Sequence, residues 1–200
     1  MISKVKKTDR RVRKTEAQLK HGLVTLMQRK SIREITVKEL VEEVDINRST
    51  FYLHYSDIFQ MLDCIEEDLA NDFKNVLKTI PKDCVTNMDK AHHFLMNLFI
   101  LFENNRELCR ALLGPNGDPG FCDRILKLIS ETVQFHIAKL FPVESRDAYH
   151  IHTYALNGCF GLIKEWLNSP VESHDAPEHM AELAFSMLLA TFTATNEKSK

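Results

Sequence analysis

Between Asn47 and Tyr55 the sequence places Asn47, Arg48, Ser49, Thr50, Tyr52, His54 and Tyr55 almost side by side, interrupted by Phe51 and Leu53. Seven side chains that donate or accept hydrogen bonds make a poor apolar core. They suit a surface that presents fixed donors and acceptors, such as phosphate oxygens or the edges of bases. Upstream, Thr36 and Lys38 add a hydroxyl and an ammonium.

These groups need elements to hold them. Val37, Leu40, Val41 and Val44 follow the i, i+3, i+4, i+7 spacing of a short amphipathic helix. Thr36 and Glu39 stand as its capping box, and Asp45 and Asn47 suit the turn that follows. A second short helix is expected from Arg48 to His54, with Ile46 and Phe51 turned inward to anchor it. Helix, three-residue turn, helix is the layout whose second helix enters the DNA major groove. The same pattern also fits an ordinary connecting helix with a polar face.

The first 60 or so positions resemble the DNA-binding domain of TetR-family transcriptional regulators. That family's motif is close to T-x-x-x-I-A-x-x-A-G-V-S-x-G-T-x-Y-x-H-F. Thr36, Leu40 and Val41, then "VDINRSTFYLHY", follow it position by position. Ile46 takes the place of its Val and Asn47 that of its capping Ser, while Thr50, Tyr52, His54 and Tyr55 match the Thr, Tyr, His and Phe. Asp45 stands where the family has a turn Gly, and Ile58 where it has a phosphate-binding Lys.

The resemblance implies that Thr36 and Lys38 touch phosphates and that Arg48, Ser49 and Thr50 face base edges. Tyr52, His54 and Tyr55 would mix phosphate contact with packing, and Arg10, Arg11 and Arg13 would reach the neighbouring minor groove as a basic arm. It further implies a homodimer on a double-stranded operator, most often a repressor, governed by a small-molecule effector of unspecified identity. An activator, or a regulator controlled by a protein partner, is the alternative.

Charge agrees with a polyanion partner at one end. Residues 1–60 carry 13 Lys and Arg against 8 Asp and Glu, whereas the remainder carries 13 against 20. Hydrophobic content of 44% beside 27% charged residues describes an ordinary globular composition. No run approaches the roughly 20 apolar residues of a membrane span. The basic N-terminus is followed by no apolar signal-peptide run, so a cytoplasmic location is expected. Five scattered cysteines suit reduced thiols better than a disulfide framework.

The rest reads as helices too. Spacing predicts them over 8–29 and 57–80, then 88–103, 105–113, 121–141, 146–168 and 175–195, for an all-α chain of about nine helices. A DNA-binding domain over 1–56 and a helical ligand-binding and dimerisation domain over 57–200 are expected. In helix 146–168 the small residues Ala155, Gly158 and Gly161 sit amid Leu162 and Trp166. The last helix, carrying Leu183 and Met187, is apolar on more than one side. Together they suggest two helices of a dimeric four-helix bundle, the arrangement TetR relatives use. Polar and aromatic residues on apolar faces, His93, Asn97, Phe102, Phe135, His136 and Tyr149, are candidates for an effector pocket.

Enzymatic chemistry finds no foothold. "GPNGDPG" lacks the Lys-Ser/Thr of a phosphate loop, and the nine histidines show no paired metal-ligand spacing. No metal, cofactor or nucleophile is expected; a helical enzyme or carrier is the competing class.

Overall fold

The computed structural model of the chain describes residues 2–81, 87–137 and 146–196, with side chains described over 10–81, 87–132, 149–170 and 172–191. Those residues form nine α-helices, two 3₁₀ turns and no strand. The α-helices are α1 Ile2–Met27, α2 Val37–Glu43, α3 Arg48–Tyr52, α4 Ile58–Leu77, α5 Met88–Asn104, α6 Arg106–Leu113, α7 Pro119–Ile137, α8 Arg146–Asn168 and α9 Pro177–Asn196.

Local chemistry sets the boundaries. Asn87 caps α5 by accepting the Lys90 N–H at 3.1 Å. Asp57 caps α4, its Oδ1 accepting the Gln60 N–H at 2.8 Å. Prolines open α7 and α9, where a missing N–H costs nothing. This starts α9 at Pro177 rather than at 175. Helix α1 starts earlier than the apolar periodicity indicated, at Ile2 instead of position 8. Arg10, Arg11 and Arg13 are therefore exposed residues of a helix, not of a pliant arm.

The chain divides into two compact units. The first comprises Met1–Leu69 together with Ala111–Asp118. Its core holds Leu19, Leu23, Met27, Leu40, Phe51 and Met61, each no more than 1% exposed. Full burial of such side chains stabilises by about 1.5–3 kcal/mol apiece, which is what holds helices as short as α2 and α3 in place. Segment 111–118 contributes Ala111, Leu112 and Leu113, all buried, and its Asn116 carbonyl accepts the Ile32 N–H at 3.4 Å.

The second unit comprises Ala70–Arg110 and Pro119–Lys200. Here α5 lies along α9, and α8 touches α5, α7 and α9. Phe73 and Phe102 meet with ring centroids 4.8 Å apart, and Phe99 meets Trp166 at 5.3 Å. Arg106 donates to the carbonyls of Leu167 at 3.3 Å and Ser169 at 2.8 Å, fastening the end of α8.

Candidate nucleic-acid interface

Helix α2 is opened by a reciprocal cap. The Thr36 hydroxyl accepts the Glu39 N–H at 3.3 Å, and Glu39 accepts the Thr36 N–H at 2.9 Å. The Lys30 ammonium also bonds Glu39. These contacts, Lys30 first and Thr36 after it, draw the Glu39 carboxyl down from 4.5 to about 2. Lys38 is exposed beyond the cap, 3.9 Å from Glu42.

The turn then reverses at Asp45, whose φ of 52° lies in the left-handed region. A short polar side chain visits that region at less cost than most. Asn47 caps α3, its Oδ1 accepting the Ser49 N–H at 2.9 Å and the Ser49 hydroxyl at 2.8 Å. Asn47 and Ser49 thus spend part of their hydrogen-bonding capacity on the cap.

On the outward surface of α3, beside the exposed Ser49, Arg48 and Tyr52 meet. The guanidinium donates to the Tyr52 hydroxyl at 2.9 Å and 3.3 Å, and lies 5.5 Å from the ring centroid. Both residues are exposed, Tyr52 by 48%, while Phe51 between them is fully buried. Thr50 is half-buried beside them. Phe51 sets the rotation of the helix. Arg48 and Tyr52 follow from it.

His54 faces the other way. Its side chain is only 10% exposed, and Nδ1 lies 3.4 Å from Glu16 Oε1 of α1. This contact ties the end of α3 to α1 and gives His54 a packing role. Tyr55 is half-buried, and burial, with the Glu16 carboxylate adding, pushes its phenol up to about 12. It therefore keeps its proton and remains a donor. Ile58, where the resemblance would have a Lys, is a core residue at 4% exposure.

One residue of this unit gave little sign of its importance. Gly22 on α1 lies under α2, where a Cβ would sit 2.3 Å from Val44 Cγ1 and 3.1 Å from Leu40 Cδ1. A glycine within an apolar helical face was the available signal.

In the second unit, the expected effector residues separate. His93 and Asn97 line a cavity of about 390 Å³ with Thr79, Pro81, Asp89 and Phe94. Phe102 is fully buried against Phe73, a core position rather than a pocket wall. Tyr149 is 65% exposed. The side chains of Phe135 and His136 lie outside the described residues.

The expected dimer residues separate likewise. A Cβ at Gly158 or Gly161 would meet nothing within 4 Å, and Met187 is 54% exposed. Leu162 and Leu183 are half-buried. Ala155 and Trp166 are 8% and 3% exposed and belong to the unit's own core, because their side of α8 turns inward. Among the described residues no group of three or more His, Cys, Asp or Glu could hold a metal ion. No helix of the described residues is long and apolar enough to cross a membrane.

Comparison with known proteins adds to this geometry. Residues 89–190 match the TetR_C_8 family model, described as a transcriptional regulator C-terminal region. An uncharacterized HTH-type transcriptional regulator, YxbF of Bacillus subtilis (strain 168), is 35% identical over 77 residues. That match takes in 38% of this chain and 19% of YxbF, so the two correspond over about a fifth of the relative's length. The crystal structure of a TetR transcriptional regulator from Streptococcus agalactiae 2603V is similar with a TM-score of 0.60 at 21% identity, covering 92% of this chain and 98% of that one. The dihydroxyacetone kinase operon activator DhaS is similar with a TM-score of 0.56 at 17% identity, covering 90% and 97%. At these identities the likeness to solved structures is one of fold.

Proposed function

The chain belongs to the TetR family of transcriptional regulators, and from that premise we propose that it acts in the cytoplasm as a homodimeric repressor reading a palindromic operator. The observation that carries the reading is the rotation of α3, with Phe51 sunk in the core and Arg48 and Tyr52 held outward. A helix so anchored presents the same side chains to every groove it enters. Lys38 and the arginines of α1 supply sequence-independent attraction to phosphates.

A single five-residue helix covers few base pairs. Two copies on a two-fold axis read two half-sites, and their spacing selects among operators. Gly158, Gly161 and Met187, open in the protomer, with Leu162 and Leu183 beside them, support α8 and α9 as the paired helices. A small effector in the cavity of His93 and Asn97 would bind one arrangement of the two heads better than another and shift operator affinity accordingly.

Selection of bound duplexes from a random pool, followed by mobility shifts at rising salt, tests this. A palindromic consensus whose affinity falls steeply with salt is expected. A non-palindromic pool, or salt-independent binding, would sink the proposal. DhaS, similar in fold, is an operon activator, and the second reading of this chain is an activator rather than a repressor. A reporter behind the selected operator separates the two by the sign of its response.

A further inference from the structure

Leu53 ends α3 with 83% of its surface exposed, the highest value for a large apolar residue among the described residues. Its backbone keeps helical angles, φ −75° and ψ −20°, and its N–H donates to the Thr50 carbonyl at 3.2 Å. The rotation of the helix therefore carries through it. A helix turns about 100° per residue, and the fully buried Phe51 fixes which side points inward. Positions 49 and 53 each fall within about 20° of the opposite side. Ser49 and Leu53 form the crown of α3, and Arg48 and Tyr52 stand on its flank.

A crown of this kind has little to donate. The Ser49 hydroxyl gives its proton to Asn47 Oδ1 at 2.8 Å, which leaves Oγ as an acceptor. Leu53 offers only an isobutyl group. The Arg48 guanidinium is turned to the Tyr52 hydroxyl on the flank.

The edges of base pairs in the major groove sort themselves against such a surface. Guanine, cytosine and adenine show only polar atoms there, whereas thymine adds its C5-methyl group. An isobutyl group pressed on a polar edge strips water from it and returns no hydrogen bond. Pressed on the thymine methyl, it removes two apolar surfaces from water together. The adenine of the same pair turns its N6 amine to the groove, a donor that suits the Ser49 oxygen. Lys38, Arg48 and the arginines of α1, all exposed in the same unit, favour a polyanion over an apolar protein as the occupant.

Resting on the DNA-binding reading of α3, we propose that Leu53 is a specificity-determining residue that packs on the 5-methyl group of one thymine in each half-site. It selects thymine by apolar contact where Arg48 would select by hydrogen bonds.

Deoxyuridine lacks only that methyl group. The full-length protein is titrated with its selected operator and with duplexes in which one symmetric pair of thymines at a time becomes deoxyuridine. At one such pair the wild-type affinity is expected to fall roughly fourfold for each half-site, the worth of one apolar carbon removed from water. Leu53→Ala removes no buried contact and, folded by circular dichroism, is expected to bind the thymine and uridine duplexes alike. Leu53→Ser serves in its place should the alanine variant fail to fold. Wild-type binding indifferent to every thymine methyl, or a uridine effect undiminished in the folded variant, would overturn the role of Leu53 alone. Absence of operator-specific binding by the wild-type protein would sink the DNA-binding reading with it.

Discussion

Gly22 of α1 and Val44 of α2 approach so closely that a methyl group on the glycine would sit 2.3 Å from Val44 Cγ1. Val44 is the C-terminal cap of α2, the residue just before the left-handed Asp45. The spacing of α1 from α2 therefore bears directly on the turn that aims α3.

Gly22→Ala is expected to destabilise the first unit despite the better helix propensity of alanine. Overpacking of this kind costs about 1–3 kcal/mol, more than the roughly 1 kcal/mol gained from replacing a mid-helix glycine. Denaturant unfolding measures the stability, and operator titration on the same preparation follows the aim of α3. A more stable Gly22→Ala protein would show that Val44 and Leu40 yield freely.

Arg48→Ala is expected to relax preference at particular operator positions, at a cost of roughly 1–3 kcal/mol for a lost base contact. Lys38→Ala should instead weaken binding to all sequences alike and lessen its dependence on salt. Binding to a panel of singly substituted operators distinguishes them. Uniform losses for both variants would mean that Arg48 grips phosphate.

Glu39 sets an acid-side dependence. A carboxyl drawn from 4.5 to about 2 contributes stability that is present above its ordinary value and fades as pH falls toward 2. Glu39→Gln keeps part of the cap and removes the charge. The gap in unfolding midpoint between the two proteins should narrow steadily over that interval, as read by thermal melts. A gap constant with pH would assign the contribution to hydrogen bonding alone.

Gly158→Leu and Gly161→Leu are expected to leave the protomer folded, since a Cβ there meets nothing within 4 Å. On the dimer reading each should weaken self-association and lower operator affinity far more than non-specific DNA binding. Sedimentation and titration on the same samples decide. Folded variants that remain dimers with unchanged operator affinity would place the interface elsewhere.

The helix-turn-helix elements were legible because their signals are local. Thr36 with Glu39, Asp45 and Asn47 act through backbone groups a few residues away, and sequence spacing carries that information. Gly22 acts through a neighbour 22 positions distant, so its role depends on a tertiary approach that periodicity does not encode. Phe102 and Trp166 mislead for a related reason. A large aromatic on an apolar face looks the same whether it lines a pocket, joins a partner or fills a core, and only Phe73 and Phe99 at 4.8 and 5.3 Å decide for the core. His54 resolves through Glu16, another partner remote in sequence.

Ala111–Asp118 bears on how such heads can be exchanged between proteins. A chimaera with its crossover at residue 69 would carry α3 but leave Ala111, Leu112 and Leu113 behind in the donor. The recipient's own loop would have to fill that gap and offer a carbonyl to the Ile32 amide. Grafting is then a two-piece transplant, and recombination that swaps only the leading segment yields a head with a hole in its floor.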